Sequence, residues 1–519
     1  MVSPTAFVRS SRRLECRQHG GKEEKRLSYI ENLKKEANYT RTLNGALTHG
    51  STGDACLDFF AVAGGMRYRR REDQIRLYDR AYIETPELAA KLLFYLRDIR
   101  GGMGERKLFR TLLRHVAFTW PETAIKNVRY TAEFGRWDDL VCLMGTPAEE
   151  EAVRVIRRQL ADDMAALKKR DMGEEDAHIS LLAKWLPSDN ASSPVTCGNA
   201  RKLIAALGMD KREYRAMLTA LRARIGLVER NLSKKRPEKV NYKAVPAQAM
   251  LKYRSAFEQK DRNRFRSYLG EVKKGKKTIH SGTLFPYEVL RPFFSVRDAE
   301  GEATLEQLWK SLPGEIGSAN AISVVDTSGS MYWAEKLKPA LISQAMGLYC
   351  AERCEGVFHN HLITFESTPH LVEIKGATLR DKLTYIGTLP WGGSTNLEGV
   401  FNLILRTAVN ARAKQEEMPA VLYIFSDMEF NYAVRDPSRT VYEACRAKFE
   451  AHGYRMPAVV FHNVNSWQMQ APVTAHTRGT ALQSGAGTHA LKEKFDGNIT
   501  PMDHMLRVLN GKRYGMIHA

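Results

Sequence analysis

The sequence predicts an α plus α/β architecture: an α-helical solenoid followed by a Rossmann-like domain with a parallel sheet. Three observations predict it. Amphipathic helix signals follow one another from about 55 to 230, with almost no strand signal between them. From Ala321 the pattern changes to short apolar runs alternating with helices. The charge changes at the same place: 20 Lys+Arg against 18 Asp+Glu from Ala321 onward leaves +18 of the net +20 on residues 1–320.

Residues 1–38 read as a basic tail leading into a short helix. The turn-rich stretch from 40 enters an apolar helix around Ala55–Ala63. Leu88, Leu92, Tyr95, Leu96 and Ile99 fall at helical spacing, with Pro86 suited to the first turn and Gly101 to the stop. Leu108, Leu112, Leu113, Val116 and Trp120 repeat the pattern. Further helices are predicted at 122–134, 147–169, 176–185, 198–207, 211–230 and 246–257. Such helices joined by short loops predict stacked pairs over 39–318, although no strict repeat period is visible. LPGEIGSAN (312–320) reads as a linker, and 319–519 as the α/β domain. There AISVVD, HLITF, HLVEI, AVLYIFSD and PAVVFHNV read as strands, HLVEI at an edge. Helices intervene, and MDHMLRVLNG closes the chain.

Apolar content of 43% with 27% charge fits a soluble globular protein. No apolar run approaches the ~18–20 residues a membrane span needs, and the first 25 residues hold no signal-peptide core. The seven cysteines are dispersed, odd in number and without a CxxC pair, which argues against a disulfide framework or a zinc site and points to a reducing cytoplasm. The basic excess favours a polyanionic partner, most often nucleic acid; its alternative is a solvated basic surface. The densest basic stretch holds Lys234, Lys235, Arg236, Arg262, Arg264, Arg266, Lys273, Lys274, Lys276 and Lys277. Asp261 is placed to cap the helix that carries the arginines. Tyr253, Phe265 and Tyr268 lie among these charges, either docking the helix on the core or stacking on bases. LRDIRGGMGER reads first as a helix joint held by ion pairs.

Three segments of the α/β domain are expected at the carboxyl edge of its sheet, where open parallel sheets place their ligands. They are Asp326-Thr327-Ser328-Gly329-Ser330, Gly392-Gly393-Ser394-Thr395-Asn396 and Phe425-Ser426-Asp427. Hydroxyls and carboxylates are hard oxygen donors, suited to Mg²⁺, with Mn²⁺ or Ca²⁺ as alternatives, and not to zinc. The D-x-S-x-S, Thr, strand-end Asp pattern resembles the metal-ion-dependent adhesion site of von Willebrand factor A (vWA) domains. The resemblance implies that Ser328, Ser330 and Thr395 ligate one divalent cation directly. Asp326 and Asp427 would act mostly through water or by holding the direct ligands, leaving a position for water or a partner's carboxylate.

The helical part resembles the DUF2828 family through Thr42–Phe60 (TLNGALTHGSTGDACLDFF), LRDIRGGMGER (96–106), FGRWDDL (134–140), AKWLP (183–187) and VPAQAMLKYRSAF (245–257). With the vWA signatures it also resembles the TROVE-module Ro proteins. That likeness implies HEAT-like helices closing into a single-chain ring that binds small structured or single-stranded RNA. The leading expectation is thus a non-enzymatic RNA-binding scaffold with a metal-dependent interaction domain. A protein-assembly module without RNA is the alternative. A phosphoesterase ranks last, because the pattern offers one metal and no evident general base.

Overall fold

The computed structural model describes residues 29–174, 176–296, 298–314, 316–317, 320–333, 339–389, 392–431 and 439–519. The chain forms two compact units, Met1–Tyr39 and Thr40–Ala519. The described part of the first is residues 29–39, with the helix Tyr29–Ala37; the rest of the expected basic tail, with Cys16, lies outside the described residues.

Within the second unit the helical region runs through Ala55–Val62, Arg71–Glu84, Pro86–Arg97, Arg106–Thr119, Glu149–Asp171, Pro194–Leu207, Lys211–Arg224, Ala247–Lys260, Arg262–Lys273 and Ala299–Lys310, with shorter turns between. Their starts and stops follow local chemistry. Asp54 accepts from Leu57 N at 2.7 Å, Pro86 opens its helix, and Gly208 ends another at φ 67°. The apolar spacing holds: Leu92, Tyr95, Leu96, Leu108, Leu112, Leu113 and Val116 are all buried.

Three local expectations differ. The helix expected over 176–185 shrinks to Leu182–Trp185. The buried Asp163 carboxylate takes Ser180 N at 2.9 Å and Ser180 Oγ at 2.7 Å, so that backbone amide is not free for a helix. The helix expected over 211–230 breaks at Gly226, whose φ is 69°. Asp261 does not cap: its carboxylate accepts from Tyr242 Oη and Arg264 Nη1, at 2.8 and 2.9 Å.

The α/β domain holds one sheet of β1 (Ala321–Asp326), β2 (His361–Phe365), β3 (Leu371–Glu373), β4 (Val421–Ser426), β5 (Ala458–Asn463) and β6 (Thr480–Ser484), ordered β3-β2-β1-β4-β5-β6. All pairs are parallel except that with β3, which lies at the edge as expected of HLVEI but runs antiparallel, a departure from the all-parallel sheet. Five strands are legible in the sequence; the sixth, TALQS between Gly479 and Gly485, is not among those expected and is β6.

Alternate strand residues feed two cores. Ile322, Val324, Ile363, Phe365, Leu422, Ile424 and Phe461 join the helical region from Ala46 to Leu221. Val325, Leu362, Tyr423, Phe425 and Val460 join the helical region from Val228 to Leu312. The period of two along each strand therefore assigns one stretch of the helical region to each face. The first stretch is also tied by hydrogen bonds. Ser484 Oγ donates to Phe60 O at 2.8 Å and accepts from Gly64 N at 3.0 Å, and Ser466 Oγ donates to Val62 O at 2.8 Å. Gly64 permits this, since a Cβ there would sit 2.6 Å from Gly485 backbone.

Candidate functional site

The parallel register sets Val325 beside Phe425, so the next residues, Asp326 and Ser426, emerge together at the carboxyl edge. Asp326 is fully buried. Its Oδ1 accepts from Ser328 N at 2.9 Å and its Oδ2 from Ser426 Oγ at 2.5 Å. Ser343 braces both strands, donating to Phe425 O at 2.8 Å and accepting from Asp326 N at 3.0 Å. Ser328 Oγ and Ser330 Oγ lie 3.1 Å apart. Asp427 is also buried, with Ser330 and Trp467 near enough to favour its charged form, while Oδ1 takes Glu429 N at 3.2 Å. Among the described residues its Oδ2 has no hydrogen-bond partner.

The electrostatics are those of an uncompensated acidic pocket. Burial, and then the charge of Asp427, pushes the Asp326 carboxyl up to about 7. Burial likewise raises Asp427. Among the described residues no base compensates either carboxylate. Two buried carboxylates without a cation are costly, and an unpaired buried oxygen adds to the cost. The donor set of carboxylate and hydroxyl oxygens fits a hard divalent ion.

Thr395 lies in the second loop, 1% exposed. Its hydroxyl donates to Glu429 O at 2.8 Å, and its carbonyl accepts from Asn431 N at 3.0 Å. That loop turns on Gly392 and Gly393, at φ 114° and 91°, values that favour glycine. Gly329 of the first loop sits at ordinary φ with open space around it. The third loop contains Met428 at φ 66°, a left-handed non-glycine residue next to Asp427. The structure thus joins Asp326, Ser328 and Ser330 by hydrogen bonds, sets the Asp427 charge against Asp326, and links Thr395 to Asp427 through Glu429. Sequence reasoning missed Ser343, Glu429, Asn431 and Trp467, which carry no motif, and Asn44, which is some 350 residues from Thr395 in the chain.

The model described as Domain of unknown function (DUF2828) matches residues 42–158 and 203–318. The helical part of this chain is thus similar to the DUF2828 family. A second model, Domain of unknown function (DUF7788), matches residues 320–506. An uncharacterised protein, L728, of Acanthamoeba polyphaga mimivirus is 28% identical over 511 residues, 91% of this chain and 87% of that one. The crystal structure of the Deinococcus radiodurans RO (RSR) protein is similar over 89% of this chain and all of that chain, at 14% identity and a TM-score of 0.41.

In the DUF2828 part the basic stretch divides in two. Arg262 pairs with Glu258, Arg264 with Asp261, Arg266 with Glu258 and Glu300, and Lys277 with Glu271. Lys234, Lys235, Arg236, Lys273, Lys274 and Lys276 are exposed, with no ion pair among the described residues. The interleaved aromatics are structural: Phe265 and Tyr268 are buried, packed with Phe257 around Tyr242. LRDIRGGMGER is held by ion pairs, but with distant partners. Arg97 meets Asp139 at 2.8 Å, Asp98 meets Arg513, and Glu105 meets Arg67. Asp139 is therefore the buried acceptor of Arg97 and Arg110 as well as the acceptor for Arg136 N. Among the described residues no helix is long and apolar enough to cross a membrane.

Proposed function

We propose that this protein is a non-enzymatic binding scaffold whose α/β domain holds one divalent cation, Mg²⁺ first and Mn²⁺ or Ca²⁺ as alternatives. Ser328, Ser330 and Thr395 would hold it, with Asp326 and Asp427 supplying the negative charge. Bound there, the ion would supply an electrophilic position for a partner protein's carboxylate. The observation that carries this reading is the buried Asp326–Asp427 pair with an unpartnered Asp427 Oδ2 and no compensating base among the described residues. Calorimetric titration with Mg²⁺ and Mn²⁺ tests it. Binding by the wild type and none by Asp427→Ala is expected; no binding by the wild type refutes it.

The DUF2828 part is proposed to bind RNA. The +18 on residues 1–320 and the six unpaired basic side chains support that. Filter binding of structured and single-stranded RNA across a salt series tests it, since phosphate contacts impose a steep salt dependence. A flat response would refute it. A nuclease-resistant pull-down lost in EDTA would instead favour the protein-assembly reading without RNA.

A further inference from the structure

The segment Thr42–Ala46 precedes the first long helix, yet it lies on the loops of the candidate site. Thr42 Oγ1 donates to Phe430 O at 2.6 Å, and Leu43 N donates to the Glu429 carboxylate at 2.7 Å. Gly45 and Asn431 form an antiparallel bridge. Between them Asn44 Nδ2 donates to Glu429 O at 2.6 Å and to Thr395 Oγ1 at 3.3 Å.

The hydroxyl of Thr395 has one hydrogen and two lone pairs. The hydrogen goes to Glu429 O at 2.8 Å, with Asn431 Oδ1 a weaker second acceptor at 3.3 Å, and Asn44 takes one lone pair. One lone pair remains for a cation. Both hydrogens of the Asn44 amide are used in setting this arrangement. Glu429 is itself buried, its carboxylate shared between Leu43 N and Gln470 Nε2, the latter at 2.8 Å. The loop that carries Asp427 is thus tied to the strap by side chain and backbone. The left-handed Met428 between Asp427 and Glu429 marks a conformation that its surroundings impose.

We infer that Asn44 is a positioning residue for the cation site, and that the Thr42–Ala46 strap couples cation occupancy to the docking of the helical region on the α/β domain. The inference rests on the cation reading above. Coupling of this kind is reciprocal: a tight strap strengthens cation binding, and the cation tightens the strap by the same factor.

The test uses the full chain with Mn²⁺ as probe, comparing wild type, Asn44→Ala and Asp427→Ala. Removing a side chain that orients a ligand weakens metal binding by roughly 10- to 100-fold. Asn44→Ala should lie near the lower end of that range, while its melting temperature in EDTA falls only slightly, for the two hydrogen bonds lost. Amide exchange over residues 42–49 should slow on Mn²⁺ addition in the wild type and not in Asn44→Ala. If the wild type and Asn44→Ala bind Mn²⁺ equally, Asn44 only packs and the inference falls while the cation reading stands. If the wild type binds no Mn²⁺, both fall together. Should Asn44→Ala fail to fold, the wild-type exchange experiment decides alone, and Mn²⁺-insensitive exchange over 42–49 overturns the coupling.

Discussion

Asp326→Asn should act in opposite directions with and without divalent cations. The substitution keeps shape and removes one charge. Asn can still accept from Ser328 N through its oxygen, as Asp326 does at 2.9 Å. Its amide meets Ser426 Oγ, which has lone pairs to accept with. Without a cation at pH 8, wild type carries two facing buried carboxylates. The Asp326 carboxyl stands at about 7 against an ordinary 3.8, through burial and the charge of Asp427. At about 1.4 kcal/mol per unit, that gap sets a ceiling of about 4 kcal/mol on what the charge costs the fold. Asp326→Asn should therefore raise unfolding free energy in EDTA by about 2–4 kcal/mol. In saturating Mg²⁺ the order reverses, because the wild type gains binding energy that the variant cannot. Urea unfolding at pH 8, in EDTA and in Mg²⁺, reads both arms. A variant less stable than wild type in EDTA would refute the reasoning, showing that the carboxylate is compensated within the protein.

Gly64→Ala should cost about 3 kcal/mol, at the upper end of overpacking penalties, because the new Cβ meets the Gly485 backbone at 2.6 Å; chemical denaturation measures it, and a neutral result would mean the two backbones separate freely. Burial pushes His462 down from 6.5 to about 4, so the fold holds it neutral. Its contribution is intact above pH 6.5 and is lost as pH falls from there toward 4, by up to about 3 kcal/mol; His462→Gln should flatten that part of a stability–pH curve. Replacing Lys273, Lys274 and Lys276 together by Glu should make the salt dependence of RNA binding shallower by roughly one unit of slope per lost phosphate contact. Arg266→Ala, already paired with Glu258 and Glu300, should change affinity less than about twofold; equal effects from both would refute the division of the basic stretch.

What the sequence by itself determined is what depends on neighbours in the chain. The helix signals of 86–119 and the apolar strands AISVVD and AVLYIFSD need only periodicity, and Asp326, Ser328, Ser330 and Asp427 need only a strand that ends beside them. Tertiary structure decided where a local signal was weak or a distant group overrode it. TALQS became β6 because β5 offered a parallel edge. Residues 177–181 lost their helix to the Asp163 carboxylate. Four of the ten basic residues that composition marks are neutralised by Glu258, Asp261, Glu271 and Glu300, some within a turn and some on another helix. Asn44 reaches Thr395 only because residues 40–519 fold as one unit. Hydrogen bonds and ion pairs act over about 3 Å of space, and no pattern along the chain records which remote residues that radius will enclose.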